Sequence, residues 1–307
     1  MNIECLVEGR DICGESPLWH PEQECVYWTD INGFKINRYS PYRRELKSWL
    51  FDAPVSTLSL TTASEWLLVA VGPRLILWSP PEDKRVPLAQ PERDWPHNRL
   101  NDGATDPSGV FWVGSMRNNV GSDGSDLKVE GLTGSLYRVN ADGEVSAADS
   151  GFGITNTLVW SPDHSTFYCG CSLRNVLYAY DYDAANSLVS NRRVYVENLA
   201  PGVPDGSAMD EEGCLWNCRY SGACILRISP AGRVLRISWS TSARRTSVCS
   251  IRVPGGVRAC SRNWPASTSG KKSWPTRRTS KKEPKETIRK RSSTGARCRN
   301  EKSSSPR

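Results

Sequence analysis

Three polar residues recur at one offset ahead of apolar runs: Glu15 in "CGESPLWHP", Asn156 in "GITNTLVWSPD" and Asp205 in "PGVPDGSAMD". Together they make an oxygen-only donor set. Hard divalent cations such as Ca2+, Mg2+ or Mn2+ suit it, and Zn2+ is also compatible. Singly, each has an ordinary explanation, because Asp before Gly forms turns and a loop Asn caps its own backbone. A second group lies in "NRLNDGATDPSGVFWVGSM", residues 98–116. There Arg99 and Asn101 accompany two turn signals, Asn-Asp-Gly and Asp-Pro-Ser-Gly, ahead of a buried strand over residues 110–113. A guanidinium and an amide at such a place serve either as loop solvation or as donors aimed at a ligand. The choice depends on whether the fold brings them beside the first set.

The elements that must do so are legible as a repeat. Aromatic or Trp-Leu pairs recur at Tyr27-Trp28, Trp66-Leu67, Phe111-Trp112, Phe167-Tyr168 and Leu215-Trp216, at intervals of 39, 45, 56 and 48 residues. That is the period of a propeller blade, about 40–50 residues carrying four strands. Companion strands follow each pair: "GFKINRYSP", "RLILWSPPED", "GSLYRVNADGEV", "NVLYAYDYD" and "CILRISPAGRV". Each alternates apolar and polar residues and ends in a Pro, Asp or Gly turn. No stretch sustains a helical period over three turns. The sequence therefore predicts an all-β propeller with five legible blades over residues 1–237. Equivalent positions in successive blades point at one central channel, so Glu15, Asn156 and Asp205 are expected to converge.

Composition supports this class and divides the chain. The 307 residues include 12 Trp and 10 Tyr but only 3 His and 3 Met, which favours strands over a helical bundle. The net charge of +7 belongs to the end of the chain. Residues 238–307 hold 19 of the 40 Lys and Arg against 3 of the 33 Asp and Glu. That segment has no Leu, Phe, Tyr, Asp, His, Gln or Met, and 15 of its 70 residues are Ser. Such a segment cannot bury enough apolar surface to offset its ordering entropy and is expected to be disordered. The switch comes abruptly in mid-blade, which suggests an out-of-frame terminus; a basic arm for acidic partners is the alternative. Sparse aromatic interleaving and the absence of a recognition motif argue against nucleic acid as a partner. The N-terminus lacks a basic start followed by an apolar core, and no apolar run approaches the roughly 18 residues of a membrane span. A soluble, cytoplasmic protein without a membrane partner is expected. The 11 Cys show no disulfide framework, and C-x-C and C-x-x-x-C spacings do not match a zinc site, so they are read as reduced core residues.

At this point the chain resembles the gluconolactonase/regucalcin (senescence marker protein) family of six-bladed propellers. The stretches that carry the resemblance are "GESPLWHP", "RLNDGATDPSGVFWVGSM", "GSLYRV", "ITNTLVWSPDHSTFY", "YAYDYD" and "VPDGSAMDEEGCLW", running from about Leu6 to Ile237. The resemblance implies that Glu15, Asn156 and Asp205 bind one divalent metal ion, with Asp205 also the general base. It implies that Arg99 and Asn101 contact substrate, as donors for the sugar ring and lactone oxygens. Asn119 falls where some relatives have an acidic substrate contact, so substrate preference is expected to differ. The activity implied is metal-dependent hydrolysis of a sugar lactone to the aldonic acid. A non-catalytic calcium-binding propeller uses the same ligands, and a basic-tailed adaptor or an inactive product is a further alternative. Two departures bear on this. Cys171 replaces an Asp that relatives often carry before "SL", weakening support for the site. The sixth blade is missing, leaving strand edges open and a poor catalyst expected.

Overall fold

The computed structural model describes residues 3–8, 11–239, 247–253 and 256–259, and they form strands and turns only. After β1 (Ile3–Glu8) come five four-stranded antiparallel sheets, each with its strands in chain order. The first blade holds β2 (Gly14–His20), β3 (Cys25–Asp30), β4 (Lys35–Ser40) and β5 (Glu45–Leu50). The second holds β6 (Val55–Leu60), β7 (Leu67–Val71), β8 (Arg74–Ser79) and β9 (Lys84–Ala89). The third holds β10 (Asn98–Thr105), β11 (Phe111–Arg117), β12 (Gly134–Val139) and β13 (Val145–Phe152). The fourth holds β14 (Thr155–Trp160), β15 (Thr166–Cys171), β16 (Val176–Asp183) and β17 (Leu188–Glu197). The fifth holds β18 (Val203–Met209), β19 (Leu215–Tyr220), β20 (Cys224–Ile228) and β21 (Val234–Trp239). The first strands of successive blades adjoin one another around a channel. The fourth strands form the exposed rim.

Four apolar clusters fill the four interfaces between these blades. The period-2 geometry of a strand explains how one strand serves two of them. Along β7, Leu67, Val69 and Val71 pack with Tyr27 and Leu18 of the first blade, while Leu68 and Ala70 pack with Leu100 and Val113 of the third. Along β15, Phe167, Cys169 and Cys171 join Trp112, while Tyr168 joins Leu215 and Leu226. Strands buried on both faces read as unbroken apolar runs, which accounts for the aromatic pairs that mark each blade. Cys25, Cys169, Cys171, Cys214 and Cys224 are reduced thiols buried in this packing.

An aspartate anchors the turn into the second strand of two blades in the same way. Asp106 Oδ1 accepts the backbone N–H groups of Ser108 (2.9 Å) and Val110 (3.0 Å), and its Oδ2 accepts Trp112 Nε1–H (2.9 Å). Asp210 repeats the pattern with Glu212 N–H (3.1 Å), Cys214 N–H (2.8 Å) and Trp216 Nε1–H (2.8 Å). Asp106 also accepts Tyr182 Oη–H from the next blade at 2.7 Å. The Asp-Pro-Ser-Gly turn is therefore a turn that fastens the core.

Two expectations change. The Asn-Asp-Gly stretch is not a turn, because Asn98–Thr105 is the innermost strand of the third blade. Residues 238–307 were expected to be without structure, yet β21 runs to Trp239. Moreover, β22 (Ser247–Val253) and β23 (Gly256–Ala259) join β1 in a three-stranded sheet, order β1-β22-β23. Short Val- and Ile-containing runs interrupt the basic composition there and pair with the apolar β1. No sixth four-stranded blade occurs among the described residues. The rest of the basic tail, 240–246 and 260–307, lies outside them.

Burial pushes the Asp106 carboxyl upward, but the hydrogen bonds from Ser108, Trp112 and Tyr182 outweigh it and hold the group below the usual carboxylate range. Its stabilisation is therefore present at neutral pH and lost as the pH falls through that depressed value. Asp106→Ala is expected to destabilise the propeller by about 3–5 kcal/mol at pH 7, since it orphans the Trp112 and Tyr182 donors. The deficit should shrink in acid. Urea unfolding at pH 7 and at pH 3 checks both; equal deficits at the two pH values would refute the electrostatic part.

Candidate active site

Every innermost strand slips register against its neighbour at the same height. The slips lie between Glu15 and Leu18, Val55 and Thr57, Leu100 and Gly103, Asn156 and Val159, and Pro204 and Ser207. Each is a bulge, which twists the strand and re-aims its side chains. Glu15, Asn101, Asn156 and Asp205 all stand at these slips, and the corresponding place in the second blade carries Val55. The turn-forming residues around them serve bulges inside strands. That corrects their placement on loops. Ser16 (φ 48°) and Thr157 (φ 57°) take left-handed conformations just after Glu15 and Asn156. For a β-branched Thr this costs about 1–3 kcal/mol, so the surroundings must impose it.

Those surroundings are hydrogen bonds between successive innermost strands. Ser16 Oγ accepts Leu58 N–H (3.0 Å), and Thr57 Oγ1–H donates to the Gly103 carbonyl (3.4 Å). Asn101 Nδ2 donates to the Thr155 carbonyl (2.9 Å), and Thr157 Oγ1–H donates to the Asp205 carbonyl (2.5 Å). Ser172 Oγ–H reaches the Pro204 carbonyl at 2.6 Å. All five blades are stitched in this way.

Glu15, Arg99, Asn101, Asn119, Asn156 and Asp205 line one cavity of about 1770 Å³. A polar chain links four of them. Arg99 Nε and Nη2 both donate to Asn119 Oδ1 (3.1 and 2.7 Å), and Nη1 donates to Asn101 Oδ1 (2.7 Å) and to the Leu100 carbonyl (2.9 Å). Asn101 Nδ2 donates in turn to Asn156 Oδ1 at 3.2 Å. Both amide protons of Asn101 are thus engaged. It links Arg99 to Asn156 and keeps only acceptor capacity for a ligand, contrary to the donor role expected of it. Asn156 Nδ2 donates to Ser172 Oγ (2.8 Å), which orients its oxygen toward Asn101. Ser172 supplies this support, while Cys171 is in the blade core and its Sγ accepts Gly153 N–H. Cys171 therefore takes no part in the site.

The charges match a cation site. Burial first, then the Asp102 carboxylate, pushes Asp205 up to about 6, against the opposing Gly206 N–H and Arg219 charge. Burial brings Arg99 down to about 10, while Cys13 and Glu15 pull it upward. Burial and the charges of Glu15 and Asp205 raise the Cys13 thiol to about 12. No group of three or more His, Cys, Asp or Glu side chains forms a metal cluster among the described residues. The candidate set has two carboxylates and one oriented amide oxygen, and it fits a hard divalent ion: a carboxylate pushed upward by burial is one whose ionised form lacks a compensating cation.

Sequence reasoning missed the supports. Asn217 Nδ2 donates to Ser207 Oγ (2.9 Å), Thr157 Oγ1 (3.2 Å) and the Asp205 carbonyl (3.3 Å), and Arg219 Nη1 donates to Asn217 Oδ1 (3.0 Å). An Asn inside the apolar run "LWNCRY" was the available signal, because Asn is a poor strand former. Asp102 was hidden inside a stretch read as a turn. Over the channel, the loop after β11 reaches from the third blade to the first. Asn32 Nδ2 donates to the Gly124 carbonyl and to Asp126 Oδ1, both at 2.9 Å. Gly124 has φ +81°, and a Cβ there would come 2.5 Å from the Asn32 carbonyl oxygen, so only glycine fits.

Two outcomes are expected. Asn32→Ala removes the latch, so trypsin should cleave faster at the exposed Lys128; an unchanged rate would mean the loop is held elsewhere. Asp205 has a folded value above its ordinary one, so its contribution favours folding below pH 4 and is lost as pH rises through about 6. Without metal, Asp205→Asn should raise Tm by a few degrees at pH 8 and leave it unchanged at pH 3.5, as calorimetry can measure.

Comparison with known proteins agrees with this layout. Residues 13–255 match the SMP-30/Gluconolactonase/LRE-like region. The chain is 32% identical to regucalcin of Sus scrofa over 251 residues, covering 81% of this chain and 82% of that protein. Among solved structures it is similar to a luciferin-regenerating enzyme (TM-score 0.71, 28% identity, 78% of this chain and 80% of the other). It is also similar to the calcium-binding regucalcin of Agrobacterium tumefaciens (TM-score 0.70, 26% identity, 77% of each chain). With its blades, its channel and these relatives in agreement, the chain belongs to the SMP-30/gluconolactonase/LRE-like family.

Proposed function

We propose that this protein is a cytoplasmic, divalent-metal-dependent hydrolase that opens a sugar lactone to its aldonic acid. The observation that carries the reading is the meeting, in one channel, of two carboxylates and an oriented amide oxygen with a buried guanidinium. Glu15, Asn156 and Asp205 would hold the metal, whose chemistry when bound is Lewis-acid polarisation of the lactone carbonyl. The similarity to gluconolactonases supports the reaction class, and the unpaired cysteines support a reducing compartment.

The chain's own residues do the remainder. Asp205 accepts a proton from the attacking water, a role its raised affinity for protons suits near neutrality. Water adds to the acyl carbon, the acyl–ring oxygen bond breaks, and the proton passes to that oxygen as the new hydroxyl. Arg99 and Asn119 offer N–H donors to the substrate's oxygens, and Asn101 offers an acceptor to a hydroxyl. The chain Asn119–Arg99–Asn101–Asn156 holds these groups in one orientation, which is where positioning contributes to rate. The loop latched by Asn32 limits water entry. A purely calcium-binding role is favoured by the regucalcin relatives and uses the same ligands.

Asp205→Ala is expected to abolish Ca2+ and Zn2+ binding in calorimetry, since it removes a charged ligand from a three-residue set. Unchanged affinity would overturn the ligand assignment. Arg99→Ala is expected to lower kcat/KM for gluconolactone about a hundredfold while metal affinity stays within a few-fold. A metal-loaded chain that binds Ca2+ tightly yet hydrolyses no lactone would favour the calcium-binding role instead.

A further inference from the structure

Arg99 is 4% exposed and lines the cavity, yet none of the ion pairs among the described residues includes it. Several other charges in the propeller are matched directly. Lys35 lies 3.3 Å from both Asp11 and Asp30, Arg227 2.8 Å from Asp210 and Arg192 3.1 Å from Asp149. Arg219 is the instructive contrast. It is equally buried and also outside these ion pairs, but the carbonyls of Leu199, Pro201 and Gly202 and the amides of Asn175 and Asn217 wrap it, and it does not line the cavity. Its charge is spent on the chain. The Arg99 charge faces open space.

The Nε/Nη2 edge of Arg99 is the fork that matches the two oxygens of a carboxylate. Here both N–H groups converge on one neutral atom, Asn119 Oδ1. Of the five guanidinium N–H groups, four are used, and the remaining one is on Nη2. Asn119 is only half-buried, and among the described residues its Nδ2 donates to no acceptor. A buried cation outside all of these ion pairs, beside free amide protons, is a receptor for an anion. In this hydrogen-bonded chain Asn101 separates Arg99 and Asn119 from Asn156. A cation held by Glu15 and Asp205 would neutralise those carboxylates and leave the Arg99 charge to the ligand.

We propose that Arg99 and Asn119 form a carboxylate subsite, so that the substrate is the lactone of a sugar diacid, bearing a carboxylate at the end remote from the ring carbonyl. This inference rests on the lactonase reading. It adds no step to the chemistry, since water again cleaves the acyl–oxygen bond and the second carboxylate is unchanged.

The test compares D-glucaro-1,4-lactone with D-glucono-1,4-lactone, which differ only in carboxylate against CH2OH at C6, using the full chain loaded with Ca2+ or Zn2+. The wild-type protein should prefer the acidic lactone by about ten- to a hundredfold in kcat/KM, the range of a hydrogen-bonded charge pair. Asn119→Asp supplies Arg99 with an internal carboxylate of the same size, and it should lower that preference at least tenfold. Equal or greater turnover of the neutral lactone by the wild type would overturn the subsite while leaving the lactonase intact. Should neither lactone be hydrolysed, the lactonase reading fails, and calorimetry with D-glucarate and D-gluconate decides the subsite separately. Tighter binding of glucarate, lost in Asn119→Asp, supports it, and equal binding overturns it.

Discussion

The register slip in the innermost strand of every blade is the constraint on which the rest depends. A regular ladder would send alternate side chains into the two blade interfaces and leave the channel lined mainly by backbone. The bulges turn Glu15, Asn101, Asn156 and Asp205 inward, and hydroxyls and amides of the neighbouring strands take up the backbone groups thereby freed. Unpaired backbone groups at this depth would each cost on the order of 1–3 kcal/mol, so bulge and stitch must occur together. The left-handed Thr157 is held because its hydroxyl is tied to Asp205 and its neighbours.

The propeller uses two kinds of polar burial. Asp106 and Asp210 are satisfied by their own turns and tryptophans, with Tyr182 added at Asp106 and Arg227 at Asp210, and they join turn to core. Around the channel, satisfaction is incomplete by design of the fold. Asp205 is raised by burial and by Asp102, and Arg99 is lowered by burial without a carboxylate in contact. Groups held away from their ordinary protonation equilibria in a cleft are those a cation or substrate can relieve. The same shell that positions them, Ser172, Asn217 and Arg219, keeps their geometry when the ligand is absent.

Proteins named for different activities share this scaffold, among them a luciferin-regenerating enzyme and the calcium-binding regucalcin of Agrobacterium tumefaciens. Blades and bulges are therefore compatible with several chemistries, and the distinction must come from residues that meet the ligand. In this chain the neutral Asn119 opposite Arg99 is one such residue, because it leaves a buried positive charge facing the cavity.

The sequence by itself determined the blade repeat, since aromatic pairs at blade-length intervals can be buried on both faces only by stacking sheets. It also marked Glu15, Asn156 and Asp205, because polar residues at equal offsets stand out against apolar strands, and Arg99 and Asn101, which a turn of small polar residues does not require. It misread their setting: Asn, Asp, Gly and Pro are common to turns and bulges, and local composition does not tell the two apart. Only the tertiary structure decided that Asn101 spends its amide protons on the fourth blade, that Ser172 rather than residue 171 supports Asn156, and that Asn217 and Arg219 brace Asp205. It likewise paired residues 247–253 with β1, and 256–259 with those, despite the basic composition around them. These are contacts between strands tens of residues apart, and which donor meets which acceptor depends on register and on the packing of neighbouring blades, neither of which is a property of any short stretch of sequence.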